Sequence, residues 1–306
     1  MREPSRGGAP RRSRAWSALL GLACLSVVLS GCSSTADGSG RSGTTGARPR
    51  PRVLLIVGDS VAVQAADALV RLAPPGKVVT VDAVMAGSAP CDWNHGFIDP
   101  ATKQPLSFAS ILHNDEPDAV AFVFTGNPGL SGPPAGCVDA DRDYSLSELL
   151  ATYQSALTTM ADEAVARGAQ VFFEAPPPRN PAVPTGWDPA EDGNHGFQGI
   201  RAIATFYKDL AAQEPGRWFY DESAGSAVST PDLVWRLTLP CQAWDAERCM
   251  SGQVQVRDGG TDAVHLDVPG CGAVRLALAL EEHVFGTPAP DPQVVASKVA
   301  TYGGCK

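Results

Sequence analysis

Apolar residues run without interruption over residues 53–57 and stop at Gly58-Asp59-Ser60. A second apolar pattern follows through Leu72 with the spacing of a helix. The uninterrupted run predicts a strand buried on both faces, as in the interior of a parallel sheet. Such a strand delivers Ser60 to the carboxyl edge of the sheet, where open α/β folds place their ligands. Ser60 is therefore either a nucleophile or, like Asp59, a residue that caps the helix.

The alternation of strands and helices continues along the chain. Further strands are predicted over residues 77–84, 118–124, 169–174 and 217–220. Helices are predicted over residues 107–114, 145–167, 200–210 and 270–283. This order predicts an α/β fold, a single three-layer α/β/α sandwich with a five-stranded parallel sheet and right-handed crossovers. Residues 91–106 are predicted to be irregular and to line the cleft.

The N-terminal region predicts export. Residues 1–31 carry arginines followed by an apolar run over residues 15–29, which is the layout of a secretory signal peptide. The signal ends in Leu-Ser-Gly-Cys, which resembles the lipobox of bacterial lipoproteins and implies lipidation of Cys32. Residues 32–51 are rich in Gly, Ser, Thr and Pro and predict a flexible tether. A domain over residues 52–306 is thus expected to be anchored to the outer face of the cell membrane.

Charge and cysteine content narrow the partners of this domain. The net charge is −9 and no cluster of Lys or Arg follows residue 52, which argues against nucleic acid. Six cysteines follow the tether, and in an exported domain an even number favours disulfides. Other pairings stay open, but the preferred ones are Cys91–Cys137, Cys241–Cys249 and Cys271–Cys305. No Cys or His spacing typical of zinc ligands is present, so no metal site is predicted.

A loop before the last predicted helix contains Asp262 and His265, three positions apart. An acid at this offset can accept the Nδ1–H bond of the imidazole, which leaves the other ring nitrogen to take a serine proton. Alone, the pair is common and is more often explained by a surface turn. With Ser60 at the first strand, it forms a candidate catalytic triad.

Four blocks with a characteristic order lie at strand ends or before the last helix: Gly58-Asp59-Ser60, Gly87, Asn127 and Asp262-x-x-His265. Together they resemble the SGNH (GDSL-type) hydrolase family across about residues 52–285, which implies that family's flavodoxin-like architecture. The resemblance implies that Ser60 is the nucleophile, His265 the general base and acid, and Asp262 the residue that orients His265. It also implies an oxyanion hole made by the backbone N–H groups of Ser60 and Gly87 and the Asn127 amide. This mechanism needs no cofactor.

The third block departs from the family pattern, which usually reads Gly-x-Asn-Asp. Here Gly126 directly precedes Asn127, and Pro128 stands where the acid is expected. Asn127 therefore has an alternative interpretation as a turn residue before proline.

The expected function is a serine esterase that acts through an acyl-enzyme on acetyl esters of envelope glycans. The alternatives are an O-acyltransferase to a sugar hydroxyl and a non-catalytic module that binds a glycan. A monomer is expected. Four tryptophans in predicted loops would form either a sugar platform or packing contacts in the core or a lid: Trp93, Trp187, Trp235 and Trp244. Arg179 and Arg257 are predicted to lie on the solvated surface rather than to hold a charged substrate group.

Overall fold

The computed structural model describes residues 51–99, 101–130, 138, 144–180, 195–258, 265–267, 270–288, 290–302 and 305, with residues 195–201 and 302 described by their backbone. All of these residues belong to one compact unit, Arg48–Lys306. In chain order the elements are β1 (Val53–Gly58), α1 (Ser60–Leu72), β2 (Val78–Val84), α2 (Pro90–His95), β3 (Phe97–Ile98), β4 (Pro105–Leu106), α3 (Phe108–Asp115), β5 (Ala119–Val123), α4 (Leu146–Ala166), β6 (Gln170–Glu174), α5 (His195–Ala211), β7 (Trp218–Asp221), α6 (Ser223–Ser226), β8 (Thr238–Pro240), a 3₁₀ helix (Ala243–Arg248), β9 (Gln253–Gln255), α7 (Cys271–Phe285) and α8 (Pro292–Tyr302).

The centre of the fold is a five-stranded sheet in which every pairing is parallel. Its strands lie in the order β2-β1-β5-β6-β7. This is the flavodoxin-like order, whose switch point lies between β1 and β5. The predicted fold class, a three-layer α/β/α sandwich with a five-stranded parallel sheet, is confirmed.

Helices cover both faces of this sheet because successive strand residues point to opposite sides. Leu54 and Ile56 of β1 pack in a cluster with α1, α7 and α8. Leu55 and Val57 pack in a second cluster with α2, α3, α4 and α5. All four side chains are fully buried, which explains why the sequence of β1 is apolar without interruption.

α1 begins directly after β1 because Asp59 caps it, accepting a bond from the Val61 N–H at 3.1 Å. Its buried positions recur at helical spacing: Val61, Ala62, Ala65, Ala68, Leu69 and Leu72. This buried face packs against α7. Ser60 is therefore held in the first turn of α1, at the carboxyl edge of the sheet.

The prediction that residues 91–106 are irregular is wrong, because α2 and the β3–β4 hairpin occupy most of that segment. The prediction that Trp93 lies in a loop is also wrong, because it is part of α2. Its side chain is fully buried, packs edge-on against Phe97 at 5.0 Å between ring centroids, and donates to the Ser88 hydroxyl at 3.0 Å. Of the two roles considered for Trp93, the structure thus supports the core contact and excludes the sugar platform.

Disulfides secure the C-terminal part of the chain. Two predicted pairings are present, Cys241–Cys249 and Cys271–Cys305. Cys91 is also disulfide-bonded, and its predicted partner, Cys137, lies outside the described residues. The helix predicted at residues 270–283 is α7, but it is followed by α8, which the sequence reading missed. No helix in the described part of the chain has the length and apolar character required to cross a membrane.

Candidate active site

The turn between β1 and α1 is sterically restricted to glycine at its first position. A Cβ atom on Gly58 would lie 2.4 Å from the Val123 carbonyl oxygen and 2.6 Å from the Ala62 Cβ. This close approach of β5 and α1 brings Ser60 to the edge of the sheet at the first turn of the helix. Within the described residues, no group hydrogen-bonds to the Ser60 hydroxyl, and the side chain is partly exposed. A partly exposed hydroxyl of this kind is accessible to an ester.

Asp59 is a buried acceptor that joins this turn to the loop after β5. Its Oδ2 atom accepts bonds from the Thr125 N–H at 2.6 Å, the Thr125 hydroxyl at 2.7 Å and the Asn127 side-chain amide at 2.8 Å. Its Oδ1 atom accepts the bond from Val61 described above. Asp59 was expected to hold its own turn. The structure adds that it also fixes the side chain of Asn127.

The pKa of Asp59 is set by opposing effects. Burial is the largest effect and raises this pKa above its ordinary value, although the hydrogen bonds from Thr125 and Val61 and the charge of Arg179 act to lower it. Arg179 also donates to the Thr125 carbonyl oxygen at 3.1 Å. The four hydrogen-bonding groups named above are all donors to the Asp59 carboxyl, so they suit an acceptor at that position.

Asn127 is held at both its backbone and its side chain. The hydroxyl of Tyr153, a fully buried residue of α4, donates to the Asn127 carbonyl oxygen at 2.8 Å. One N–H of the Asn127 amide is used by Asp59, which leaves the other N–H without an acceptor among the described residues. The preceding residue, Gly126, has a φ of +94°, and a Cβ there would lie 2.5 Å from the Ile203 Cδ1 atom. The unusual Gly-Asn pair therefore has a steric reason.

Gly87 lies in a loop that is bonded to the same turn. The Gly58 carbonyl oxygen accepts bonds from the Met85 N–H at 3.0 Å and from the Ser88 hydroxyl at 3.2 Å. Gly87 itself has a φ of +79°, a left-handed conformation that favours glycine. The loops after β1, β2 and β5 are thus connected by hydrogen bonds through Gly58 and Asp59.

His265 follows the segment that contains Asp262, and Asp262 lies outside the described residues. The His265 side chain is half-buried. The neighbouring residue, Leu266, is fixed to α1 by Gln64, which accepts from the Leu266 N–H at 2.9 Å and donates to the Leu266 carbonyl oxygen at 3.5 Å. Gln64 lies one helical turn after Ser60, so this pair of bonds brings the backbone beside His265 to the helix that carries the candidate nucleophile.

The prediction that Arg179 and Arg257 lie on the solvated surface is wrong, because they are 2% and 1% exposed. Both guanidinium groups bind carbonyl oxygens of loops remote in sequence, Arg179 at Thr125 and Arg257 at Pro178, the latter at 3.2 Å. Burial lowers the pKa of Arg257 to about 9. Neither arginine is therefore a surface residue.

The other tryptophans differ in their exposure. Trp244 is part of the 3₁₀ helix, is 9% exposed and donates to the Gln242 side chain at 2.6 Å. Trp235 is half-buried, and Trp187 lies outside the described residues. Trp244 is therefore a core contact, like Trp93.

Sequence reasoning missed three residues of this region: Gln64, Thr125 and Tyr153. Gln64 lies on the face of α1 next to the buried positions, and Thr125 directly precedes Gly126-Asn127. A polar residue at a strand end is a weak signal for Thr125. For Gln64 and Tyr153 the sequence has no comparable signal, because their partners lie 202 and 26 positions away.

No protein-family model matches the chain, and no curated protein matches it. Several solved structures are similar in fold. Est24, a carbohydrate acetylesterase from Sinorhizobium meliloti, has 17% identity and a TM-score of 0.43 over 76% of this chain and 98% of its own. An aryl esterase from M. smegmatis has 18% identity and a TM-score of 0.45, with the same two coverages. Axe2, an acetylxylan esterase from Geobacillus stearothermophilus, has 16% identity and a TM-score of 0.43 over 78% and 96%. At these identities and TM-scores, the likeness supports no statement about activity.

Proposed function

We propose that the chain is a serine esterase of the SGNH (GDSL-type) class that cleaves acetyl esters of envelope glycans. The observation that carries the proposal is the Asp59 carboxylate, which binds the first turn of the Ser60 helix and the Asn127 amide together. This contact holds a hydroxyl and an uncommitted amide N–H at the same sheet edge. A nucleophile beside preorganised N–H donors is the arrangement that acyl transfer requires.

In the proposed reaction, His265 removes the proton of the Ser60 hydroxyl as the Ser60 Oγ atom attacks the ester carbonyl carbon. The resulting oxyanion is stabilised by the N–H groups of Ser60 and Gly87 and by the Asn127 amide, and each such donor contributes about 3 kcal/mol. Collapse breaks the bond to the sugar oxygen, which leaves with the proton from His265. Water then attacks the acetyl-enzyme and releases acetate, while Asp262 keeps the His265 ring oriented.

The proposed location is the outer face of the cell membrane. It rests on the signal peptide, the lipobox ending at Cys32 and the tether that follows. The disulfides Cys241–Cys249 and Cys271–Cys305 are consistent with an oxidising compartment outside the cytoplasm. Envelope glycans are the acetylated polymers within reach of a domain anchored there, which is the reason for proposing them as substrate.

The direct test is hydrolysis of p-nitrophenyl acetate by the full chain and by the variants Ser60→Ala and His265→Ala. We expect turnover by the wild type and a decrease in kcat of at least about a thousandfold in either variant. Ser155→Ala and His113→Ala are matched controls because both side chains are exposed. They lie on α4 and α3, which cover the face of the sheet opposite to α1. Rates equal to that of buffer alone for the wild type and both variants would exclude the proposed esterase activity and would favour a module that only binds a glycan.

Transfer is distinguished from hydrolysis by adding an oligosaccharide acceptor to the same reaction. An esterase releases free acetate in an amount equal to the nitrophenol formed. A stoichiometric acetylated sugar in place of acetate would instead identify an O-acyltransferase, with the same acyl-enzyme at Ser60. Both outcomes are read by mass spectrometry of the products.

A further inference from the structure

Three side chains that the proposed reaction does not use converge where β6, β7 and α7 meet. Glu174 ends β6, Asp221 ends β7, and His283 lies in the last turn of α7. The His283 Nδ1 atom is 3.0 Å from the Glu174 Oε1 atom and 3.0 Å from the Asp221 Oδ2 atom. One ligand atom from each residue lies within 4.8 Å of the other two. The three residues thus form one cluster of potential ligand atoms.

The polar contacts of this cluster are incomplete. A single N–H at Nδ1 cannot fully satisfy two carboxylates at the same distance. Glu174 is fully buried, and its Oε2 atom has no hydrogen-bond partner among the residues that the structure describes. In the described part of the chain, no Lys or Arg forms an ion pair with Glu174 or Asp221. A buried carboxylate in this state has a large desolvation cost that a cation would offset.

The geometry suits a divalent cation. Two ligand atoms that are each about 2.1 Å from a metal ion lie roughly 3.0–3.4 Å apart, depending on the coordination angle. Both distances from the His283 Nδ1 atom fall at the lower end of this range. One imidazole with two carboxylates is a donor set for a borderline cation such as Zn²⁺ and is less suited to Ca²⁺ or Mg²⁺, which prefer oxygen alone.

From this convergence we propose that Glu174, Asp221 and His283 form a divalent-cation site with a preference for Zn²⁺. The ion would take the place of the proton on the His283 Nδ1 atom and would complete its coordination with water. Water can reach the site because the side chains of His283 and Asp221 are 25% and 27% exposed. The bound ion would join α7 to the sheet edge formed by β6 and β7.

Neighbouring groups hold two of the ligands in place. The Ser223 hydroxyl donates to the Asp221 Oδ2 atom. The His283 ring packs edge-on against Phe172, with 5.2 Å between centroids. Contacts of this kind orient metal ligands in known sites. Glu174, Asp221 and His283 are widely separated in sequence, which explains why the spacing of Cys and His predicted no metal site.

The test is a titration of the chelator-treated full chain with Zn²⁺. Binding is measured by calorimetry and by the change in thermal melting temperature. We expect one Zn²⁺ per chain at this site and an increase of several degrees in the melting temperature. Glu174→Gln and His283→Gln should weaken this binding at least roughly tenfold. His113→Gln, which removes an exposed histidine of α3, should leave the binding unchanged. Mg²⁺ at the same concentration should have little effect.

Two results would overturn the site. One is a wild-type melting temperature that does not change on adding Zn²⁺, which requires no variant and so does not depend on how the variants fold. The other is Zn²⁺ binding by a folded His283→Gln variant that is as tight as in the wild type. Either result would mean that His283 forms only an ion pair with the two carboxylates.

Discussion

At the carboxyl end of β1, the Asp59 carboxylate binds both Thr125 and Asn127, but these two residues differ in what they can contribute to catalysis. Both residues donate to its Oδ2 atom, Thr125 through its hydroxyl and N–H and Asn127 through its side-chain amide. Only Asn127 retains a second side-chain N–H that can bind an oxyanion. Loss of either side chain should therefore affect stability, whereas loss of Asn127 should also affect catalysis.

We predict that Asn127→Ala lowers kcat by about 10²–10³-fold, because it removes one donor of the proposed oxyanion hole. Thr125→Val is the matched control, since it removes one bond to the same Oδ2 atom and no candidate donor. It should lower the free energy of unfolding by about 1–3 kcal/mol while changing kcat less than about tenfold. Steady-state kinetics and thermal unfolding measure both effects. Equal decreases in kcat for the two variants would remove Asn127 from the proposed oxyanion hole.

At the scale of the elements, α1 has two functions on two faces. One face packs in the core with α7, and a partly exposed edge carries Ser60 and Gln64. The two bonds between Gln64 and the Leu266 backbone attach the loop of His265 to α1. In the proposed mechanism, this makes Gln64 a positioning residue for His265.

We predict that Gln64→Leu lowers kcat/KM by roughly tenfold or more, because a small displacement of a general base has large effects on rate. Gln64→Glu can still accept from the Leu266 N–H but cannot donate to the carbonyl oxygen, so its kcat/KM should be intermediate. Asp67→Asn, at an exposed position of the same helix, should match the wild type. A Gln64→Leu variant with a lower melting temperature but unchanged kcat/KM would assign Gln64 a structural role only.

α7 also carries a buried acid, Glu281, which is 3% exposed. It lines a cavity of about 310 Å³ between α7, the end of α1 and α8, together with Glu282 and Lys298. Burial raises the pKa of Glu281 to about 8, although the charge of Lys298 acts to lower it. The folded state therefore binds more protons than the unfolded state between about pH 4.5 and pH 8, so stability falls as the pH rises through this range.

We predict that the melting temperature of Glu281→Gln falls less than that of the wild type between about pH 5 and pH 8, because the variant has no carboxyl to ionise. Glu282→Gln is the matched control, since Glu282 is exposed at the adjacent position. Thermal unfolding over a pH series measures the difference. Parallel curves for the wild type and Glu281→Gln would show that Glu281 ionises at its ordinary pKa.

At the scale of the whole molecule, the two described disulfides close loops of different lengths. Cys271–Cys305 spans 34 positions and joins the start of α7 to the chain after α8, whereas Cys241–Cys249 spans eight. The entropy that a cross-link removes from the unfolded chain increases with the length of the loop. Cys271–Cys305 should therefore contribute more to stability.

We predict that replacing both cysteines of Cys271–Cys305 with Ala lowers the free energy of unfolding by about 4 kcal/mol, against about 2.5 kcal/mol for Cys241–Cys249. Denaturant unfolding of the two double variants measures this order. The reverse order would mean that strain or residual structure, rather than loop length, determines the contribution of these bonds.

The sequence was sufficient for the features that depend on local pattern. Predominantly apolar segments of strand length predicted the strands of the parallel sheet, and helical spacing located α1, α4 and α7. The sequence was insufficient where partners are remote. Arg179 and Arg257 are buried because loops far along the chain supply carbonyl acceptors, and no local pattern encodes those acceptors.

The same distinction applies to the candidate site. Gly58-Asp59-Ser60 and Asn127 were recognisable as blocks at strand ends, because their chemistry is carried by adjacent residues. The bond between Asp59 and Asn127 spans 68 positions and becomes evident only when β1 and β5 pair. Long-range pairing determines this contact, which a single sequence does not reveal.

In the proposed mechanism, Ser60 is a nucleophile activated by His265. The most direct test of this role is mass spectrometry of the full chain after reaction with a fluorophosphonate, in which the serine Oγ atom displaces fluoride from phosphorus. We expect a single adduct on the peptide containing Ser60, with labelling lost in Ser60→Ala and strongly slowed in His265→Ala. An unlabelled wild-type protein, or an adduct that persists in Ser60→Ala, would contradict it.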